Sequence, residues 1–302
     1  MNNVLYSKAI FFRNLKDYKF VPKLTKEKQN EIIEKLSQIL PNFKLVSANT
    51  IDEKTVKILN KNSLKISNKS LLLDEKNGVV VYLFEGEHVE ICATSQEANK
   101  AYKKIKEVSD LIANNISLSY ADNYGYLMSD VTKIGSGLKL TSEICMPSIV
   151  ELGKVEQIKQ NLKKLGYELI QTNLKYVFEL STMCNLGIKE KDIVDDFEKI
   201  LNNLQEIELE SAKMLDVGSH DEIVDKTVRS LAILKSAYLL TTGELHSLLT
   251  NVRTGLNLQI IDVDISKVDK LQTLVCNKNM EFTSQTELKK LAEKVKDVLK
   301  GE

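Results

Sequence analysis

The sequence predicts an α+β fold over residues 1–215, followed by a smaller all-helical region over 216–302. Three observations carry that expectation. Short apolar runs of strand length stand between amphipathic stretches of helical length in the first part. Beyond Leu215 only the helical spacing remains. Two capping-box spacings, Ser219-His220-Asp221-Glu222 and Ser284-Gln285-Thr286-Glu287, mark helix starts there, since each end of such a box satisfies an orphan amide of the other.

Residues 25–40 read as a helix, with Ile32, Ile33, Leu36, Ile39 and Leu40 on one face and Pro41 as the stop. Residues 71–92 read as two strands. The run 79–83 is apolar throughout, and 88–92 alternates, with Val89 and Ile91 on one face. Between them lies the acidic turn Phe84-Glu85-Gly86-Glu87. Residues 95–116 form a second helical pattern, through Ala98, Tyr102, Ile105, Val108, Leu111 and Ile112. Residues 123–149 read as a strand, a Gly135-Ser136-Gly137 turn and a helix that includes Met146-Pro147. Strand-like runs follow in 168–180. A long helix spans 189 to about 215, with Ile193, Val194, Phe197, Ile200, Leu201, Leu204 and Ile207 inward. The short loop Asp216-Val217-Gly218 is the expected boundary between the two regions.

Composition narrows the function. Basic and acidic residues number 42 each, so nothing favours nucleic acid or an anionic membrane. Only Arg13, Arg229 and Arg253 are arginines, and the other cations are lysines. Lysine is a point charge, whereas arginine grips phosphate oxygens in pairs, so no arginine-built phosphate site can exist here. Cys92, Cys145, Cys184 and Cys276 lack metal or disulfide spacing, and no metal ligand is assigned. Cys92 and Cys145 read as small core residues, and His88 as structural. The amino terminus has no signal-like apolar run and no long apolar stretch occurs, so the expected location is cytoplasmic.

Residues 123–149, NYGYLMSDVTKIGSGLKLTSEICMPSI, resemble the nucleophile-side loop of the ATP:guanido phosphotransferases, whose pattern is roughly G-Y-L-T-S-C-P-T-N-x-G-T-G-x-R. Gly125, Tyr126, Leu127, Ser129, Thr132, Gly135, Ser136 and Gly137 keep the frame, while Asp130 stands for the reactive cysteine and Lys139 for the arginine. The carboxyl-terminal part is similar to the McsB-type protein-arginine kinase branch. Asp225-Lys226-Thr227-Val228-Arg229-Ser230 resembles its D-R-x-x-R-S, and residues 249–255 resemble its L-S-D-V-R-L-G.

The resemblance implies a phosphagen-kinase-like catalytic domain, an antiparallel sheet flanked by helices, and a helical domain for dimerisation or partner docking. For an active member it implies ATP with Mg2+. It also implies a set of partners: a second copy or an active kinase paralogue, a heat-shock repressor, a zinc-binding activator or a Clp-type unfoldase. It transfers a catalytic carboxylate to Glu85 through the turn N-E-E-D-H-x-R, with Glu87 beside it and Asp130 opposite the guanidinium. The nucleotide-binding candidates are Ser7, Lys8, Arg13, Lys139 and Ser142. A phosphoarginine-recognising motif, R-D-x-R-R-A, falls on residues 286–291, with Lys289 and Lys290 in place of forked donors.

Departures from the pattern concentrate on phosphate binding. In the arm S-x-R-x-R the arginine positions hold Lys8 and Ile10, and the arginine of the acidic turn is Glu90. The R-G-x-x-G-E loop shrinks to residues 170–177, without glycine or arginine. The leading expectation is therefore a kinase-like protein with weak or no activity, regulating or scaffolding a stress-response or proteolysis system. The alternative is an active phosphotransferase for guanidinium groups with a rebuilt lysine site, using Lys8, Lys139 and Lys133. A third reading makes the helical region a phosphoarginine reader.

Overall fold

The computed structural model describes residues 3–47, 51–61, 64–65, 67, 69–183, 186–276 and 284–300. Cys184 lies outside them, as does the side chain of Cys276.

The chain begins with strand β1 (Val4–Arg13), followed by α1 (Lys26–Ile39), β2 (Lys44–Val46), α2 (Glu53–Lys61), β3 (Leu71–Asp74), β4 (Val79–Leu83) and β5 (Val89–Ser95). Next come α3 (Ala98–Asn115), the short hairpin β6 (Tyr120–Ala121) and β7 (Gly125–Tyr126), then β8 (Leu138–Cys145), α4 (Pro147–Glu151), α5 (Val155–Lys164), β9 (Tyr167–Gln171) and β10 (Val177–Thr182). The rest is helical: α6 (Glu190–Ser236), α7 (Thr242–Asn257), α8 (Ile265–Cys276) and α9 (Gln285–Lys300). Eight strands form one antiparallel sheet in the order β2-β3-β4-β5-β1-β8-β10-β9. No described helix is long and apolar enough to cross a membrane.

One face of the sheet is covered by helices. Ala9 and Phe11 of β1, Leu138, Leu140 and Ile144 of β8, and Val89, Ile91 and Ala93 of β5 pack there with Ile32 and Leu36 of α1, Ile105 and Ile112 of α3, and Phe197 and Leu201 of α6. The continuous run of β4 is explained by burial on both faces. Val79, Val81 and Leu83 join that core, while Val80 and Tyr82 meet Leu59 of α2 on the other side. β1 ends on three successive buried residues, Phe11, Phe12 and Arg13, and this masks its alternation in a periodicity reading.

Two expectations are corrected. The stretch after the glycine turn is strand β8, hydrogen-bonded to β1 and β10, and helix resumes only at Pro147. Pairing on both sides overrides the local pattern. The expected loop at Asp216-Val217-Gly218 is helical. α6 runs through it and bends at Ser219, whose φ and ψ are −146° and 33°. A Gly-Ser pair is a usual cause of such a bend. The second capping box forms as expected: the Ser284 N–H donates to the Glu287 carboxylate (3.0 Å) and the Glu287 N–H to Ser284 Oγ (3.3 Å).

The helical part has its own core, in which Leu234, Leu245, Leu249, Val252, Leu271 and Val295 pack together. Here α7 crosses α6 closely. A Cβ on Gly255 would lie 2.1 Å from the Thr227 methyl carbon. Gly255→Ala should therefore destabilise the protein by about 1–3 kcal/mol, because neither packed helix can withdraw cheaply. Urea unfolding measures it, and a midpoint equal to the parent's would refute the close-approach account.

Glu208 ties α6 to α4. Its buried carboxylate accepts the Ser148 and Ile149 N–H groups at 2.8 and 2.9 Å. Burial dominates these bonds and pushes the carboxyl up from 4.5 to about 7. A pKa raised on folding means that the native state holds its proton more tightly. The stabilisation is complete below about pH 4.5 and is lost as pH rises through about 7. Glu208→Gln should flatten that part of the stability profile. An unchanged slope between pH 5 and 8, measured by urea unfolding, would contradict the assignment.

Candidate active-site face

The sheet face opposite the main helical core carries the candidate chemistry. Register decides which residues share it. Lys8 lies opposite Thr141, Ile10 opposite Lys139, and Phe12 opposite Glu90. Lys8 and Lys139 thus stand on one face as diagonal neighbours across β1 and β8, with Ile10 beside Lys139. Neither lysine forms an ion pair among the described residues. A cavity of about 180 Å³ opens beside Lys139, walled by Phe12, Asp130, Lys133 and Thr182. The Lys133 ammonium sits 4.4 Å from the Phe12 ring centroid.

Ser7 and Ser142 point the other way. They are buried on the helix-covered face, where Ser142 Oγ donates to Ser7 Oγ at 2.7 Å. The period-two alternation of the strands separates them from Lys8 and Lys139.

Arg13 is also withdrawn from any ligand. It is 1% exposed and donates to Ser109 Oγ, to the Phe12 and Ser136 carbonyls and to Glu190 Oε1, the last at 3.1 Å. Its guanidinium is sandwiched between the Phe11 and Tyr126 rings, at 4.1 and 3.8 Å from their centroids. Gly137 (φ +60°) allows this packing, since a Cβ there would come within 2.7 Å of the guanidinium.

The acidic turn holds three carboxylates in three different situations. Glu85 accepts a hydrogen bond from Ser67 and an ion pair from Lys65 at 3.2 Å. Burial works to raise its pKa, but Ser67, Lys65 and Lys69 outweigh that and hold it below the usual range. Glu87 is fully buried and clamps the loop. It accepts from Asn14 Nδ2 at 2.6 Å, from the Ser129 N–H and hydroxyl (each 2.9 Å) and from the Asp130 N–H at 3.3 Å. Glu90 is 8% exposed and pairs with Lys65 at 3.8 Å. Burial raises its pKa against the pull of Lys65 and Lys133. Phe84, at the start of the turn, has φ +60°, a left-handed conformation that a bulky residue keeps only when packing enforces it; its ring is buried in the main core.

Asp130 caps a single 3-10 turn, accepting from the Thr132 N–H (3.0 Å) and hydroxyl (2.7 Å), and these bonds lower its pKa. His88 is structural: the Leu15 N–H donates to its Nδ1 (3.0 Å) and its Nε2 donates to the Lys19 carbonyl (2.8 Å). Cys92 and Cys145 are buried thiols, each pushed up to about 11. Residues 172–176 join β9 to β10 directly, and the connector docks on the helical part. His246 Nε2 donates to the Lys175 carbonyl at 2.6 Å, and Leu174 packs against that core. Lys289 and Lys290 are exposed on α9, with the Lys289 ammonium 5.0 Å from the Tyr238 ring centroid.

The structure therefore gathers Lys8, Lys139, Glu85, Glu90 and Asp130 around one face, and places Ser7, Ser142, Arg13 and Glu87 in the scaffold. Sequence reasoning missed Lys65 and Ser67, which hold Glu85, and Lys69, whose charge also acts on it. These three residues lie outside the helices and strands, and their sequence carries no spacing signal.

Such a sheet, with this face and this glycine turn, defines a guanidino-kinase scaffold. The chain belongs to the ATP:guanido phosphotransferase family, whose C-terminal catalytic domain matches residues 14–211. Residues 220–302 match the C-terminal domain of the protein-arginine kinase McsB. Similar proteins include the protein-arginine kinases of Clostridium novyi (26% identical, covering 99% of this chain and 95% of that one) and Clostridium perfringens (29%, covering 86% and 83%). Among solved structures, the substrate-free duplicated taurocyamine kinase of Schistosoma mansoni superposes with a TM-score of 0.60 at 17% identity, over 80% of this chain and 39% of that one. Lombricine kinase does so with 0.59 at 13%, over 71% and 67%.

Proposed function

We propose that this protein is a protein-arginine-kinase-like member of the family that has lost efficient phosphoryl transfer. It acts as a regulatory or scaffolding partner in a stress-response or proteolysis system. The single observation that carries the reading is Glu90. A buried carboxylate on the phosphate-facing strand is already paired with Lys65, and a triphosphate brought beside it would meet repulsion of about 1 kcal/mol in water and several times more in a closed site. The residues present do not fit three phosphates. Glu85 adds to this, because a carboxylate held by Lys65 and Ser67 is a poor proton acceptor. On this reading the scaffold and the helical region at 216–302 are kept for docking, by self-association or on an active kinase paralogue, a heat-shock repressor, a zinc-binding activator or a Clp-type unfoldase. The test is phosphoryl transfer from ATP with Mg2+ to free arginine and to an arginine-rich protein. Robust turnover abolished by Glu85→Ala would overturn the proposal.

One observation favours a second reading. Lys8 and Lys139 share the open face without ion-pair partners among the described residues, so an anion could still be held there. An active phosphotransferase for protein arginine would use them for ATP with Mg2+. Calorimetry at millimolar nucleotide distinguishes the two, and absence of binding ends the second. A phosphoarginine reader on Lys289 and Lys290 predicts binding of phosphoarginine that Lys289→Glu abolishes; no binding by the parent protein removes it.

A further inference from the structure

The bend of α6 at Gly218-Ser219 borders a cavity of about 280 Å³ at the joint between the sheet and the helical part. It shares no residue with the open sheet face. α4 contributes Glu151, the β9–β10 connector contributes Tyr176, and α6 contributes Leu215 from before the bend and Ser219, Glu222 and Lys226 from the bend onward. The volume lies below the roughly 300–1,000 Å³ of pockets for drug-sized ligands, which suits a single small metabolite.

The lining has a definite charge pattern of two carboxylates and one ammonium. Glu151 is held by the Tyr176 hydroxyl at 2.6 Å and forms no ion pair among the described residues. Glu222 and Lys226 approach only to 3.9 Å, and their side chains are 73% and 64% exposed. Both are therefore free to turn toward a ligand at small cost. Leu215 and Ile223 add apolar surface, and hydroxyls of α7 complete the wall. The complement of this lining has two cationic groups, one carboxylate and an aliphatic stem.

We propose that this pocket binds a free amino acid with a basic side chain. Its two cations meet Glu151 and Glu222, and its carboxylate meets Lys226. The occupant would contact the connector, α4 and both halves of α6 at once, so it fixes the angle between the sheet and the helical part.

Calorimetric titration with L-lysine, L-ornithine and L-arginine tests this, against cadaverine, which lacks the carboxylate, and L-glutamine, which lacks the side-chain cation. Saturable binding of the three basic amino acids is expected, weaker by about tenfold or more for the two controls, since each lacks one charge-assisted contact. Glu222→Gln and Lys226→Met, both on exposed helix surface, should weaken binding by a similar factor. Amide hydrogen exchange over residues 215–227 should slow with ligand. The double variant Lys8→Ala with Lys139→Ala should bind as the parent does, which separates this site from the kinase reading. No saturable binding, equal binding of glutamine, or binding indifferent to both Glu222→Gln and Lys226→Met would overturn the proposal.

Discussion

Arg13→Ala is expected to cost about 3–5 kcal/mol of folding stability, the range for breaking a buried, paired charge. The guanidinium connects four elements. It holds the end of β1, the glycine turn through the Ser136 carbonyl, α3 through Ser109 and the start of α6 through Glu190. Truncation removes these donors together and leaves the Glu190 carboxylate facing Tyr102 and Lys106 alone. Arg13→Lys should recover only a small part, because a single ammonium cannot reach two carbonyls and a carboxylate while stacking between two rings. Urea unfolding measures both. A loss below about 1 kcal/mol for the alanine variant would mean that the cluster is not structural.

The second large expectation concerns rate. On the proposed reading, three of the family's phosphate contacts are missing, at Ile10, at Glu90 and in the short connector. Each charge-assisted contact is worth roughly 1.5–3 kcal/mol, so the deficit is on the order of 5–8 kcal/mol. Transfer to arginine should therefore run at least about 10⁴-fold slower than in a relative with the full set. Glu85→Ala should leave whatever rate remains nearly unchanged. Turnover within tenfold of such a relative would show that Lys8 and Lys139 replace the arginines after all.

Legibility differed from one residue to the next. Lys139 was readable because a glycine turn precedes it at fixed distance, and its place on the open face follows from register with β1. Glu90 stands where the resemblance expects an arginine, but its partner was not legible, since Lys65 reaches it from outside the helices and strands. Ser7 and Ser142 were misplaced for a simple reason. A motif gives positions along a strand, whereas alternate residues face opposite sides, and here the serines face the helices. Glu87 looked like a catalytic neighbour and proves to be a clamp, because its donors lie 73 and 42 positions away in sequence, at Asn14 and Ser129.

The sequence by itself determined the family frame, the α+β region followed by helices and the scarcity of arginine. These rest on residue type and spacing, which need no knowledge of distant contacts. Only the tertiary structure decided that Arg13 is a strut, that Glu85 and Glu90 share the single ammonium of Lys65, and that one bent helix joins the two regions where a loop was expected. Burial and ion pairing across long sequence separations settle such roles, and no local pattern encodes them.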